Sequence, residues 1–285
     1  MKSSLAFVKA VFRNLHVIMF LNGFLIAALL CFKMQSSYED GLFASIKSNI
    51  NETVDADDNA DSIVMKSMSA CYQLMHPRAA TFRSGLKNMG PEATLIHSTS
   101  VDLMTTAGAC GAYSQVLARI LDTWHYPVRI GQMKALGYYG GHMVVEVYAG
   151  SRWVVLDPTF NLAFVRPDGH FASYNDVHGN WNYYVKQVPK DYDKSYQYED
   201  IRYTNWTKIP VILPALKKAM TLCVGAEETN GFCLRAHFMN TYTVCFNIFL
   251  FLEIGLLLAT LKHLVKTRSW SFSRYFNVGL GQNKI

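Results

Sequence analysis

The sequence lacks the cysteine and histidine spacings that structural zinc sites use. Its 6 cysteines and 9 histidines include no CxxC pair and no pair of histidines at zinc-finger spacing, so we expect no structural metal and no cofactor. Charged residues are also scarce, at 17% of the 285 residues, whereas apolar residues make up 51%. No internal repeat or low-complexity tract stands out. We therefore expect one domain of ordinary size with appendages.

Two stretches are nearly free of charge, and each predicts a transmembrane helix. The 17 residues from His16 to Phe32 contain no Lys, Arg, Asp or Glu, and at about 1.5 Å per residue they suffice for a hydrocarbon layer of roughly 30 Å. This predicts a span over 16–34, uncleaved because no small-x-small motif follows. The second stretch, 242–261, contains one acid, Glu253. Because an acid in lipid is costly unless it is paired, Glu253 indicates a membrane protein partner. The alternative for each stretch is a buried core helix.

Basic residues flank these two stretches and predict the orientation of the chain. They are Lys2, Lys9, Arg13, Lys262, Lys266, Arg268, Arg274 and Lys284. The positive-inside rule places the N-terminus (1–15) and the tail (262–285) in the cytoplasm, and 35–241 outside it. Between the spans, Lys and Arg number 18 against 20 Asp and Glu. The net charge of +6 therefore reflects membrane topology, with the bilayer rather than nucleic acid as partner.

The segment between the spans begins with a polar stretch. Residues 35–61 contain seven acidic residues and little apolar periodicity, which predicts a linker or stalk and starts the extracytoplasmic domain at 62. Apolar residues from Ile63 to Met75 recur at helical spacing and predict a helix that ends at His76-Pro77.

A helix and three strands are predicted in the middle of the chain. The segment Ala112 to Asp122 is amphipathic and begins directly after Gly108-Ala109-Cys110-Gly111. It is followed by three short apolar runs separated by glycine turns, which predict an antiparallel meander. The runs are Val128–Lys134, His142–Tyr148 and Arg152–Leu156.

The last part of the extracytoplasmic domain, which ends at 241, has less regular patterns. Residues 171–206 are rich in Tyr and Trp without a clean period, which favours cover for a core over a ligand cleft. Pro210 to Met220 is apolar with two lysines and is interpreted as an interfacial helix. Cys223 and Cys233 enclose a short loop that a disulfide can close outside the cytoplasm.

Three residues carry the candidate chemistry. Cys110 heads the amphipathic helix, where the positive end of the helix dipole favours a thiolate. His142 follows a Gly-Gly turn and Asp157 ends the neighbouring strand of the same hairpin, so we expect these two side by side. His142 would then take the thiol proton while Asp157 orients the imidazole. The other histidines are interpreted as packing or surface residues, with His178 and Asp176 in reserve.

These residues resemble the transglutaminase-like superfamily, which has a papain-like fold. The matching runs are GACGAYSQVLARILDTWHYPVRIG, GGHMVVEV and RWVVLDPTF, over residues 100–165. The family order is Cys, His, Asp, with the Cys at a helix start and Asp-Pro-Thr after the third strand. The resemblance implies an α+β core, with the nucleophile helix packed on an antiparallel sheet and Cys110, His142 and Asp157 as the triad. Two transmembrane helices flank this core.

Departures from the family narrow the expected activity. Crosslinking transglutaminases have Gly-Gln-Cys-Trp where this chain has Ala109 and Gly111 beside Cys110, which argues against crosslinking. Met143-Val144 replaces the usual Ala-Trp after the histidine, and the CxxC motifs of peptide N-glycanases are missing. We expect a membrane-anchored cysteine hydrolase or acyltransferase acting on a peptide or amide substrate. The alternatives are a non-catalytic binding or assembly module and a structural subunit paired through Glu253.

Overall fold

The computed structural model describes residues 14–82, 98–106 and 109–279, and their side chains up to residue 265 except for residue 263. The predicted basic flanks at 1–13 and 266–285 lie outside the described side chains, as do Gly108 and His97. The chain divides into two compact units. One comprises the described parts of 1–37 and 242–285, and the other is Tyr38–Thr241.

The first unit contains two long apolar helices. Helix α1 is Leu15–Asn51, and its part up to residue 37 belongs to this unit. Its companion spans Thr241–Lys262 within a longer helix that ends at Gly279. Both are long and apolar enough to span a membrane, with a mean hydropathy of 2.3, and few of their side chains are buried.

Within this unit, contacts between the two helices follow one stripe of each. The rings of Phe32 and Phe249 are 5.1 Å apart, and the hydroxyls of Ser36 and Thr243 are 2.8 Å apart. Glu253 lies on the same stripe and is only 4% exposed, and neither of its carboxylate oxygens has a hydrogen-bond partner among the described residues. The glutamate is thus shielded within the first unit but not paired by its described residues.

The second unit has α+β architecture around a five-stranded antiparallel sheet. The helices before the sheet are α2 (Ala60–Thr81), α3 (Thr99–Thr105) and α4 (Cys110–Thr123). The strands are β1 (Val128–Ala135), β2 (Tyr138–Ala149), β3 (Arg152–Asp157), β4 (Leu162–Ala163) and β5 (Ile201–Arg202). Their order is β4-β3-β2-β1-β5, with all neighbouring pairs antiparallel. The predicted meander is therefore present, with two short strands at its edges.

All the remaining elements of the described chain are short except the helices Ile212–Val224 and Thr241–Gly279. In chain order, the remaining elements are α5 (Tyr174–Gly179), α6 (Trp181–Tyr184), a 3-10 turn (Val185–Gln187), α7 (Ile212–Val224), α8 (Ala226–Gly231), α9 (Leu234–His237) and α10 (Thr241–Gly279), of which only α10 extends into the first unit. Helix α7 has 13 residues and overlaps the predicted interfacial helix.

Two apolar clusters cover the two faces of the sheet. Helices α2 and α4 supply the first, together with alternate strand residues such as Val145, Val147 and Val154. The second cluster holds the intervening residues Val144 and Val155 with a set of buried aromatic side chains, namely Phe164, Tyr174, Tyr184, Tyr192 and Tyr198. The aromatic segment 171–206 therefore does cover a core, as its composition predicted.

Residues 35–61 do not form a stalk, and this prediction was wrong. Helix α1 continues to Asn51, and Phe43 and Ile50 belong to the first cluster. Four of the seven acidic residues, Glu39, Asp40, Asp58 and Asp61, mislead because they have partners within the unit. Glu39 accepts a hydrogen bond from the Ser100 N–H at 2.7 Å, and Asp40 forms an ion pair with Arg119.

Two local predictions also need correction. Helix α2 does not stop at His76-Pro77 but continues to Thr81 with Pro77 inside it, and beyond the proline the Arg78 side chain donates to the Leu103 carbonyl at 3.3 Å. Strand β2 begins at Tyr138, before the predicted His142. Gly141 permits this, since a Cβ there would lie 2.7 Å from the Cβ of Ala135.

The six cysteines are all free thiols, so no bond joins Cys223 and Cys233. Cys223 is exposed on α7. Cys233 is buried, with its sulfur 3.2 Å from the Ile130 N–H that donates to it. The loop between the two cysteines is instead shaped by helix α8.

The position of Phe43 yields a stability test. Phe43→Ala should lower the free energy of unfolding of the second unit by about 3–5 kcal/mol, because it leaves a cavity in the core. Tyr38→Ala, on the same helix but 67% exposed, is the matched control and should have little effect. Urea denaturation of the full chain in detergent, followed by near-UV circular dichroism, measures both. Equal effects of the two variants would mean that residues 38–51 are not part of the folded unit.

Candidate active site

Cys110 is the first residue of α4 and is half-buried. The rest of this helix anchors it, since Val116, Leu117 and Ile120 are fully buried in the first cluster. No side chain caps the helix start, so its first backbone N–H groups are left for other acceptors. The positive end of the helix dipole therefore lies at the sulfur, as the sequence predicted.

The residue before the cysteine has an uncommon backbone conformation. Ala109 has φ 46° and ψ −121°, a region that L-residues other than glycine rarely occupy. Strain of this kind costs on the order of 1–3 kcal/mol and persists only where the surroundings impose it. The conformation of Ala109 turns the chain sharply into α4, which begins at Cys110.

The hairpin of β2 and β3 brings His142 and Asp157 together. Its turn, Gly150-Ser151, has positive φ at both residues, 56° and 64°, as in the tight turns that match strand twist. Val145 pairs with Leu156. The next position along the register places Asp157 opposite Val144 and therefore diagonal to His142. His142 Nε2 donates to Asp157 Oδ2 at 2.6 Å, and both residues are 1% exposed.

The carboxylate of Asp157 has further donors that hold it in place. Its Oδ1 accepts from the Thr159 N–H at 3.2 Å, and its Oδ2 also accepts from the Tyr192 hydroxyl at 3.1 Å. Pro158 lies between the strand end and this N–H, so the Asp-Pro-Thr run itself builds part of the cradle. Three donors therefore converge on this buried carboxylate.

The thiol of Cys110 completes the group beside His142, close enough to contribute to the pKa of the imidazole. Since Nε2 is engaged by Asp157, Nδ1 is the ring nitrogen left for the sulfur. Burial alone would lower the pKa of His142, but the charge of Asp157, its hydrogen bond and the contact with Cys110 together raise that pKa from 6.5 to about 9. The imidazole thus holds a proton readily between the sulfur and the carboxylate.

Aromatic rings enclose the imidazole, and sequence reasoning missed them. Tyr196 stacks on His142 with centroids 4.1 Å apart and an interplanar angle of 9°. Tyr192 meets the ring edge-on at 6.5 Å, and Phe160 lies at 6.0 Å. Burial, followed by the nearness of Cys110, raises the pKa of Tyr196, which keeps this ring neutral. The crowding of tyrosines in 171–206 was the only sequence signal for these contacts.

A second wall of the site lies beside Gly111. The Met143 sulfur would be 3.4 Å from a Cβ at Gly111, and Arg235 Nη1 lies 2.9 Å from the same sulfur. A Cβ at position 111 would make ordinary van der Waals contact with Met143. Met143 therefore forms part of the surroundings of Cys110.

The reserve candidates have structural roles instead. Asp176 forms a capping box with Ser173 at the start of α5, and His178 Nδ1 is 2.8 Å from the Tyr198 carbonyl. His125 occupies a turn with φ 61° after α4, and His170 lies in the loop after β4. Among the described residues, no group of three or more His, Cys, Asp or Glu side chains could hold a metal ion.

The arrangement can perform nucleophilic acyl chemistry. A sulfur at a helix start, a base in contact with it and a buried carboxylate behind the base are the parts that such chemistry requires. No protein-family model matches the chain, and no curated protein or solved structure matches it either. The geometry of these side chains is therefore the basis for assigning a function.

The raised pKa of His142 predicts how stability depends on pH. The folded state holds the proton more tightly than the unfolded state, so His142 contributes stability that is complete below pH 6.5 and is lost as pH rises through about 9. The contribution amounts to about 3 kcal/mol. Comparing the pH dependence of unfolding of the wild type with that of His142→Gln measures it. In Asp157→Asn the same loss should be much smaller, and a wild-type curve parallel to that of His142→Gln would contradict this assignment.

Proposed function

We propose that this chain is a membrane-anchored thiol enzyme that cleaves or transfers an amide or peptide acyl group through Cys110, His142 and Asp157. The observation that carries the proposal is the buried 2.6 Å bond between His142 and Asp157, with Cys110 beside the same imidazole at the start of a helix. A structural role alone would not require a half-buried thiol at this point. The triad also explains why a charged pair is kept away from solvent.

Two features support the proposed membership in the transglutaminase-like superfamily. The order Cys, His, Asp along the chain coincides with α4, β2 and β3 of the structure. In addition, α4 packs against an antiparallel sheet, with the cysteine at its first residue. Both agree with the papain-like arrangement that the resemblance implies. The proposed membership thus rests on the geometry of this one site and on the sequence resemblance over residues 100–165.

The proposed reaction begins with attack of the Cys110 sulfur on the carbonyl carbon of an amide. The thiol proton has already passed to Nδ1 of His142, so the sulfur attacks as a thiolate while the carbonyl electrons move to oxygen. The backbone N–H of Cys110 is free of helical bonding and is the donor placed to stabilise this oxyanion. When the carbon–nitrogen bond breaks, the amine leaves with the proton from His142, and the acyl group stays on sulfur as a thioester.

Release of the acyl group follows the same path in reverse. A water molecule gives a proton to His142 and attacks the thioester, so that the carboxylic acid leaves and the thiol regains its proton. We favour water as the second substrate because Cys110 is half-exposed whereas its base is covered by Tyr196. An amine in the place of water would give acyl transfer with the same residues.

We further propose that the two apolar helices anchor the enzyme in a membrane, with both termini in the cytoplasm and the catalytic unit outside it. Their length and mean hydropathy support the anchoring. The distribution of lysine and arginine along the sequence supports the orientation. The substrate would then be an extracytoplasmic peptide or amide.

A non-catalytic assembly module is the second candidate, and one observation favours it. Glu253 is buried in the first unit with both carboxylate oxygens unpartnered among the described residues. Such a group in an apolar helix is expensive and invites a polar partner in a complex. In that case Glu253→Gln would disturb assembly, whereas Cys110→Ala would have no effect on function.

Cysteine labelling tests the catalytic proposal, with free glutathione as the reference for an ordinary thiol. The full-length protein is treated with iodoacetamide near neutral pH, and peptide mass spectrometry follows each cysteine separately. We expect Cys110 to react about tenfold or more faster than glutathione. His142→Ala should bring its rate down to that of glutathione, whereas His178→Ala, the matched control, should not.

Equal rates for Cys110 of the wild type and for glutathione would contradict the thiol–imidazole pair. A fast rate that is unchanged in His142→Ala would contradict the role of the histidine. Either outcome would favour the non-catalytic assembly module over the thiol enzyme.

A further inference from the structure

Helix α7 exposes an apolar stripe instead of burying it. Ile212, Leu216 and Leu222 are 64%, 41% and 80% exposed, and Leu213 is the only residue of the helix that is fully buried. An ordinary surface helix packs its apolar side inward and shows its polar side to water. This helix does the opposite.

The exposed residues share one face of the helix. At helical spacing the stripe comprises Ile212, Ala215, Leu216, Ala219, Leu222 and Cys223. The partly buried face holds Leu213, Lys217, Met220 and Thr221, a mixture of apolar and polar side chains. This side of the helix lines a cavity of about 420 Å³ with Trp206 and Pro214, and Lys218 and Leu222 border the same cavity. The rest of the apolar stripe lies outside the lining of this cavity.

The chain before α7 extends the apolar surface. Ile209 and Val211 are also exposed, and Val211 has φ 69°, which is an outlier for a β-branched residue. Its backbone is therefore held in a costly conformation while its side chain gains no burial in the unit. A surface that received this side chain would account for both facts.

The charges on α7 itself are basic, whereas the helix that follows, α8, carries Glu227 and Glu228. Helix α7 contains Lys217 and Lys218 and no acidic residue, and Lys208 precedes it. Lys218 is exposed and lies at the border of the stripe. An aliphatic face bordered by lysines is the pattern of helices that lie in the plane of a membrane surface.

We propose that α7 is an interfacial helix that lies in the lipid headgroup region, with Ile212, Leu216 and Leu222 in the acyl layer and Lys218 at anionic headgroups. The occupant of this face is lipid rather than protein for two reasons. The stripe is aliphatic, whereas protein interfaces are enriched in aromatic side chains and arginine. Only 16 residues, 225–240, separate α7 from the apolar helix that begins at Thr241.

This inference rests on the membrane anchoring proposed above, and it is independent of catalysis. It adds a second type of contact with the bilayer, one that restrains the orientation of the catalytic unit. A tethered domain that also lies on the surface samples substrates near that surface rather than in bulk solution. The inference thus favours peptide or amide groups close to a membrane as substrates.

Photo-crosslinking in nanodiscs tests this contact on the full-length chain. The probe p-benzoylphenylalanine replaces Leu216 or Leu222, in phosphatidylcholine discs that contain some phosphatidylglycerol. Two positions serve as references. Phe251, 78% exposed on an apolar helix of the first unit, reports on anchoring, and the exposed Lys190 reports on water. We expect a mass increase of one phospholipid at Leu216, Leu222 and Phe251, and none at Lys190.

The outcomes separate the two proposals. Lipid adducts at Phe251 without adducts at Leu216 and Leu222 would overturn the interfacial helix and leave the anchoring intact. Loss of lipid adducts at Phe251 as well would overturn the anchoring. Crosslinks from Leu216 or Leu222 to a second copy of the chain would show that protein covers this face and would also overturn the inference. Lys218→Glu should reduce the adduct yield at Leu222 severalfold if anionic headgroups contribute.

Discussion

The hydrogen-bonded pair of His142 and Asp157 is the interaction on which the site depends. Both side chains are almost fully removed from water, and a buried charge is tolerated only when it is paired and hydrogen-bonded. The β2–β3 register provides the pairing, and the Thr159 N–H and the Tyr192 hydroxyl satisfy the rest of the carboxylate. A shift of one residue in that register would turn His142 toward the other face of the sheet and leave Asp157 unpaired.

The aromatic layer connects this pair to the fold. His142 and Asp157 follow the same alternation as Val144 and Val155, so they project into the cluster that holds Tyr192 and Tyr198. Tyr196 lies flat on the imidazole and separates it from solvent. The same side chains that fill the second core thus set the dielectric surroundings of the base, which strengthens its interaction with Asp157 and Cys110.

Much of the central fold was predictable from the sequence, because the relevant patterns are local. Amphipathic spacing identified α4, and glycine turns between short apolar runs identified the three central strands. The partners of the acidic residues were not predictable. Asp40 with Arg119 and Asp61 with Arg152 form ion pairs across 79 and 91 residues, so that a folded segment resembled a solvated stalk. Tyr192 and Tyr196 escaped notice for the same reason, since they reach His142 only through the tertiary fold.

A covalent intermediate on Cys110 would test the central claim most directly. The full-length protein in detergent is mixed with p-nitrophenyl acetate, quenched at short times and examined by intact and peptide mass spectrometry. The account predicts one acetyl group on Cys110 that forms rapidly, disappears with time in the wild type, and forms far more slowly in His142→Ala. Acetylation spread over exposed groups such as Cys223, with no preference for Cys110 and no effect of His142, would contradict it.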